Sequence, residues 1–217
     1  MTRVLIPSGA LGLNYDKIAL ARGIAAKPDI IAIDGGSTDS GPSYLGRGVS
    51  KYARASTKIQ WAGLMEARAE AGCPLVIGTS GTCGADSAVD WMLDITREIA
   101  SEQGQSVKIA VLKSGQSPDV IAVAAGDGKI SPLPNAPPLD SQVIASCSNI
   151  VALAGAEQIE AALNTGADII IAGRTTDTAI IAALPLMRGC HPGTGELQIS
   201  FAAQRHRMLT QTWPTST

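Results

Sequence analysis

The sequence predicts an α/β protein of three layers, α/β/α, on a mostly parallel sheet whose ligand crevice lies at the carboxyl ends of the strands. Three observations lead there. Short apolar runs such as 29–34 show almost no polar alternation, as expected of strands covered on both faces. Longer amphipathic stretches alternate with them, the pattern of strand–helix–strand units. Each run ends in a loop rich in Gly, Ser, Thr, Asp or a basic residue.

The elements follow in order. Residues 4–7, Val-Leu-Ile-Pro, read as the first strand, and a glycine-containing turn at 8–12 leads to a helix over about 15–26 with Ile18, Ala21 and Ala25 on one stripe. Pro28 stops that helix, and 29–34 is the second strand. A polar loop spans 35 to about 56, longer than compact domains usually carry without a function. The next helix should turn Ile59, Ala62, Met65 and Ala69 inward, before a third strand at 74–77. A helix over 86–103 carries the stripe Val89, Met92, Leu93, Thr96 and Ile99, with Asp86 or Ser87 as its cap. The fourth strand is 106–112, and Ser117-Pro118-Asp119 has the order of a helix start. The proline-rich stretch within 126–148 reads as a loop crossing between two parts of one sheet. A strand at 150–153, a helix at 157–163, a strand at 168–172 and a helix at 178–187 complete the pattern.

Composition narrows the function. The 217 residues are 45% hydrophobic and 17% charged, with 17 basic against 19 acidic side chains for a formal net charge of −2. That profile excludes disorder and argues against nucleic-acid binding, which needs a basic excess. At ~150 residues per domain the length corresponds to about 1.4 domains. Cys73, Cys83, Cys147 and Cys190 form no close pair, so neither a zinc ribbon nor a redox dithiol is expected. The start lacks the pattern of a secretory leader, and no run approaches the ~18 apolar residues of a membrane span. A cytoplasmic protein is expected. His191 and His206 are the only histidines, so acid–base chemistry in the body falls to carboxylates, lysine and thiol. No paired-carboxylate spacing supports a metal, and no cofactor is specified.

Right-handed crossovers place the strand-to-helix loops on one edge of the sheet, where open α/β folds bind ligands. Walker and G-x-G-x-x-G patterns are absent, and Gly78-Thr79-Ser80-Gly81-Thr82 departs from a nucleophile elbow at its last position. The turn Gly78-Thr79-Ser80-Gly81-Thr82-Cys83-Gly84 either cradles an anion with amides and hydroxyls or is a plain strand-to-helix turn. Cys83 is either a thiolate at a helix start or a buried spacer. Asp34 ends a buried strand, where a carboxylate is costly to desolvate and suits a general base or a hydroxyl acceptor. Gly35, Gly36, Ser37 and Thr38 line the same loop, and Asp39 is a second candidate acid or a turn cap. Arg174 can clamp a carboxylate or phosphate with two parallel bonds, with Thr175 beside it. Thr176 and Asp177 serve the site or cap the next helix, and Lys113 binds an anion or is simply solvated.

Two stretches resemble a known family. Ile33-Asp34-Gly35-Gly36-Ser37-Thr38-Asp39-Ser40-Gly41-Pro42-Ser43-Tyr44-Leu45-Gly46 and Gly166-Ala167-Asp168-Ile169-Ile170-Ile171-Ala172-Gly173-Arg174-Thr175-Thr176-Asp177 are similar to segments of the acyclic terpene utilisation (AtuA-like) family. The resemblance covers roughly residues 4–193. It implies a cytosolic bacterial α/β protein of acyclic terpenoid or branched-acid catabolism, acting on a small anionic substrate or acyl-CoA. It carries over no defined reaction, but it puts emphasis on Asp34, Ser37, Thr38, Asp39, Arg174 and Asp177. Family members continue further after a Pro-Gly like Pro192-Gly193, whereas 194–217 here loses regular periodicity. The expectation is therefore an incomplete AtuA-like domain at 1–193 and an irregular tail at 194–217, from truncation, a frameshift or a flexible terminus. Three functions compete: an enzyme, a non-catalytic subunit or anion-binding module (with a homo-oligomer or a second subunit as partner), and an inactive fragment.

Overall fold

The apolar runs become strands whose alternate residues face two different cores. The computed structural model describes residues 2–36, 42–190 and 209–213. Strands β1 (Thr2–Ile6), β2 (Ile30–Asp34), β3 (Leu75–Gly78), β4 (Ile109–Leu112) and β5 (Ile169–Ala172) are all parallel. Within the tail expected to be irregular, β6 (Leu209–Trp213) runs antiparallel to β1, giving the order β4-β5-β3-β2-β1-β6.

Leu5, Ile31, Ile33, Leu75, Ile77, Ile169 and Ile171 point to one side of the sheet. Val4, Ile30, Ala32, Val76, Ile170 and Ala172 point to the other. This period of two, with both faces apolar, is why the strands show no polar alternation. Helices α1 (Lys17–Ala25), α3 (Arg54–Ala71) and α4 (Asp86–Glu102) cover the first face, while α7 (Ala156–Asn164) and α8 (Ala179–Met187) cover the second.

Handedness accounts for the division. From β1 through β2 and β3 to β4 the chain moves one way across the sheet, so right-handed crossovers put their helices on one face. From β4 back to β5 the direction reverses, and α7 therefore lies on the opposite face. The expected three-layer α/β architecture is the one observed.

Several local expectations need correction. Ile18 and Ile59 are each 73% exposed, and Ala21, Ala25 and Ala69 are exposed with them. Helix α1 instead buries Ala19, Leu20 and Gly23, and α3 buries Thr57, Trp61, Leu64, Met65 and Ala67. Both helices carry a second apolar stripe of helical spacing, so periodicity alone leaves the phase open. In α3 the phase is fixed by Trp61, fully buried with its Nε1–H donated to Thr96 Oγ1 at 2.9 Å. Thr96 in turn donates to the Met92 carbonyl at 2.8 Å. The segment 150–153 is no strand, and its Val151 makes one antiparallel bridge to Gly115. Neither Asp86 nor Ser87 caps α4, which starts after Ala85 without a side-chain cap bond.

Three short helices complete the fold: α2 (Ser43–Arg47), α5 (Pro118–Gly126) and α6 (Ser141–Ser146). Helix α5 starts with Ser117 at the cap and Pro118 first, as its sequence implies, though the Ser117 hydroxyl makes no capping bond. Helix α6 lies inside the stretch expected to be loop, with Asp140 accepting from the Val143 amide at 2.8 Å. It buries only Ile144, too little to print a period on the sequence. Among the described residues no helix is long and apolar enough to cross a membrane.

Trp61 ties α3 to α4 beneath the sheet. Trp61→Ala should lower the free energy of unfolding by about 3–5 kcal/mol, measured by denaturant titration. A loss below about 1 kcal/mol would contradict its role as the anchor of that face.

Candidate functional site

The carboxyl ends of β2, β3, β4 and β5 meet in backbone contact, because glycine stands where they touch. A β-carbon on Gly35 would lie 2.2 Å from the Thr79 carbonyl oxygen, and one on Gly84 2.6 Å from the Arg174 amide nitrogen. One on Gly173 would lie 2.6 Å from Ser114 Oγ. Hydrogen bonds then lock the loops. Gly35 donates to the Gly78 carbonyl at 2.7 Å, and Thr79 and Ser80 donate to the carbonyls of Gly173 and Ala172 at 2.8 and 3.0 Å.

Asp34 stands at the centre of this junction. The end of β2 and the Leu11 amide, donating to its carbonyl at 2.8 Å, hold its backbone. Its carboxylate is 8% exposed; Oδ2 accepts from the Gly36 amide at 3.0 Å, while Oδ1 has no partner among the described residues. Burial pushes its pKa up to about 7, and the neighbouring Asp177 charge adds to that. The amides of Gly36 and Gly35 and the Arg174 charge pull the other way but do not prevail. Asp34, Asp177 and Arg174 therefore form one electrostatic group at the ends of β2 and β5.

Arg174 is half-buried and Asp177 exposed. The Arg174 backbone and its loop are fixed by three contacts, two of them to the Arg174 carbonyl, that leave no signal in the sequence. Its carbonyl accepts from the Ala154 amide at 2.9 Å and from Ser114 Oγ at 3.3 Å, and the Ala154 carbonyl accepts from the Thr176 amide at 3.1 Å. Ser114 is itself held by Asp86, whose Oδ1 accepts from the Ser114 and Gly115 amides at 3.2 and 2.9 Å. Asp86 thus braces the β4 loop. The signal available in the sequence, an acid at a helix start, pointed equally to an ordinary cap. Thr176 lies two residues before Thr178, the cap of α8, and its hydroxyl accepts from the Ala179 amide at 3.2 Å.

The turn at 78–84 is folded inward. Its Thr79, Ser80, Thr82 and Gly84 amides donate to backbone carbonyls. The Thr79 and Thr82 hydroxyls donate to the carbonyls of Thr175 at 3.1 Å and Gly35 at 3.3 Å. Both threonines have positive φ, 43° and 76°, which for a β-branched residue costs on the order of 1–3 kcal/mol. Gly81 and Cys83 are buried with them, Cys83 beneath Tyr44 and Leu45 of α2. Helix α2 is kept over this turn by Asn149, which donates to the Leu45 carbonyl at 2.8 Å, and by Ser87, which donates to the Gly48 carbonyl at 2.7 Å.

Lys113 is exposed and ion-paired with Asp90 at 2.8 Å, a hydrogen bond that raises its pKa. That pairing points it along α4 rather than into the junction. Ser37, Thr38 and Asp39 lie outside the described residues, as do both histidines. Among the described residues, no group of three or more His, Cys, Asp or Glu side chains is placed to hold a metal ion.

A parallel α/β sheet with a buried acid, an arginine and glycine-closed loops at its carboxyl edge defines the class. The pattern of the acyclic terpene utilisation family protein AtuA matches residues 58–188, more than half of the chain, and the chain belongs to that family. The match takes in the Gly173–Asp177 loop and the 78–84 turn; the stretch 33–46 lies before it. Membership suggests a role in acyclic terpene utilisation. No curated protein and no solved structure matches the chain.

Two outcomes follow from the geometry. Because the folded pKa of Asp34 lies above its unfolded value near 3.8, the native state binds the proton more tightly. The resulting stability is full below pH 4 and is lost as pH rises through 7, an effect on the order of 4 kcal/mol. Asp34→Asn should remove that slope in denaturant titrations between pH 4 and 8; an unchanged slope would refute the assignment. Gly84→Ala should cost roughly 2 kcal/mol or more, since φ is +67° and the new methyl meets the Arg174 backbone. A wild-type unfolding midpoint for that variant would show that the loops are not packed as described.

Proposed function

We propose that the chain serves acyclic terpenoid or branched-acid catabolism in the bacterial cytoplasm, as an enzyme on a small carboxylate or CoA thioester. The observation that carries the reading is the buried Asp34 carboxyl, poised near neutrality between Asp177 and Arg174. An acid whose pKa lies near 7 can both accept and return a proton at physiological pH. Arg174 supplies the fixed positive charge for a carboxylate or phosphate group. With the Thr79, Ser80, Thr82 and Gly84 amides directed to backbone carbonyls, anion binding rests on Arg174 more than on those four amides.

A second reading is supported by α5, which buries none of its residues and leaves Val120 and Val123 60% and 65% exposed. Such a face suits a subunit that works against another chain.

The test combines binding and turnover. Branched acyl-CoAs and short carboxylates should raise the thermal midpoint of the wild type by mass action. Arg174→Ala should lose most of that shift, whereas Asp34→Asn should keep it and lose turnover by about a hundredfold or more. Turnover unchanged in Asp34→Asn would remove Asp34 from the chemistry. Turnover seen only on adding a second chain would favour the subunit reading.

A further inference from the structure

Three oxygens at the junction are sealed from solvent without a hydrogen-bonding partner among the described residues: Asp34 Oδ1, Thr175 Oγ1 and Ser80 Oγ, on residues 8%, 2% and 0% exposed, and the first two bear on one face of the sheet. Leaving such atoms unpaired costs about 1–3 kcal/mol each, so native structures rarely do it twice in one place. The sheet register brings the two together. Asp34 pairs with Gly78 across β2 and β3, and strand alternation puts both on the α8 side, with Ala32 and Val76. Thr175 Oγ1 occupies that same side of Gly78, where a β-carbon would lie only 2.3 Å from it. Between the carboxylate and the hydroxyl stands a residue with no side chain to part them. The Thr175 backbone is pinned on both sides of its α-carbon, its carbonyl accepting from Thr79 Oγ1 at 3.1 Å and its amide donating to the same atom at 3.4 Å.

We propose that one resident water molecule is held here, bridging Asp34 Oδ1 and Thr175 Oγ1. The Thr175 hydroxyl donates to the water oxygen, and the water donates to the carboxylate. A buried water is held by two to four such partners, and the places it takes are those where polar atoms would otherwise be orphaned. Thr175 then acts as a positioning residue for Asp34, setting its proton affinity through the water. The charged groups facing the carboxyl are Asp177 and Arg174, and Ile180 closes the apolar side near Gly78. The inference rests on the reading of Asp34 as the proton-exchanging group.

The test is a carboxyl-carbon NMR titration of Asp34 in the ligand-free wild type, Thr175→Val and Thr175→Ser, with long-lived internal waters counted by oxygen-17 relaxation dispersion. Thr175→Val should lose one long-lived water and titrate roughly half a pH unit or more higher, because the anion loses a donor. Thr175→Ser should keep the water and the wild-type titration. An unchanged titration and water count in Thr175→Val would overturn the proposal. So would a crystal structure of the wild type with no water between the two oxygens, a measurement that stands even if the valine variant fails to fold. The two readings fail separately: full turnover in Asp34→Asn with the water present leaves a structural water, whereas lost turnover without a water leaves the catalytic reading alone.

Discussion

Backbone-on-backbone contact between the loops at the carboxyl edge is the constraint on which the rest of this structure depends. Gly35, Gly84 and Gly173 stand where the neighbouring chain leaves no room for a methyl group, and a fourth, Gly78, admits the Thr175 hydroxyl. With the loops drawn together, the amides of Thr79, Ser80, Thr82 and Gly84 find carbonyls, and two threonines at positive φ donate their hydroxyls across the junction. The same closeness encloses Asp34. Its carboxyl is buried where loops that glycines allow to approach come together.

The two edges of the sheet treat acids in opposite ways. At the amino edge, Asp168 pairs with Arg68 at 2.6 Å and accepts the Lys108 amide, while Asp29 pairs with Arg188 at 2.7 Å. Burial alone would raise the pKa of Asp29, but the Arg188 bond, the Arg3 amide and both charges outweigh it and hold it below the ordinary value. At the carboxyl edge Asp34 receives a backbone amide and a partly opposed arginine, and burial prevails. One edge fastens the strands, and the other keeps a carboxyl ready to change charge. Perturbed acids of the second kind concentrate at functional sites.

The strands were legible because residues covered on two faces must be apolar at every position, and 29–34 has no other reading. Asp34 was legible for the same reason, as the acid that ends such a run. The faces of α1 and α3 were not, because a helix with two candidate stripes is resolved only by what it packs against, here Thr96 for Trp61. Asp86 looked like a cap because the residues that claim it, Ser114 and Gly115, lie nearly thirty positions away. The inward folding of the 78–84 turn was equally hidden. Glycines and hydroxyls suit an anion cradle and an internal junction alike, and the bonds from Thr79 and Ser80 to Gly173, Ala172 and Thr175 leave no mark on the local sequence.

The reversal of chain direction at β4 also sets an order of assembly. Strands β1, β2 and β3 can pair in the order in which they leave the ribosome, each against its predecessor. Strand β4 cannot, because its ladder in the described sheet is with β5, and Ile109 finds its partner only at Ile169, 60 residues later. Until β5 is made, β4 has no neighbour and β3 keeps an open edge, the kind of exposed strand that invites mispairing. The last parallel strand to be made is thus the one that closes the middle of the sheet. It also delivers Arg174 to the junction, so the site is completed in the same step as the core.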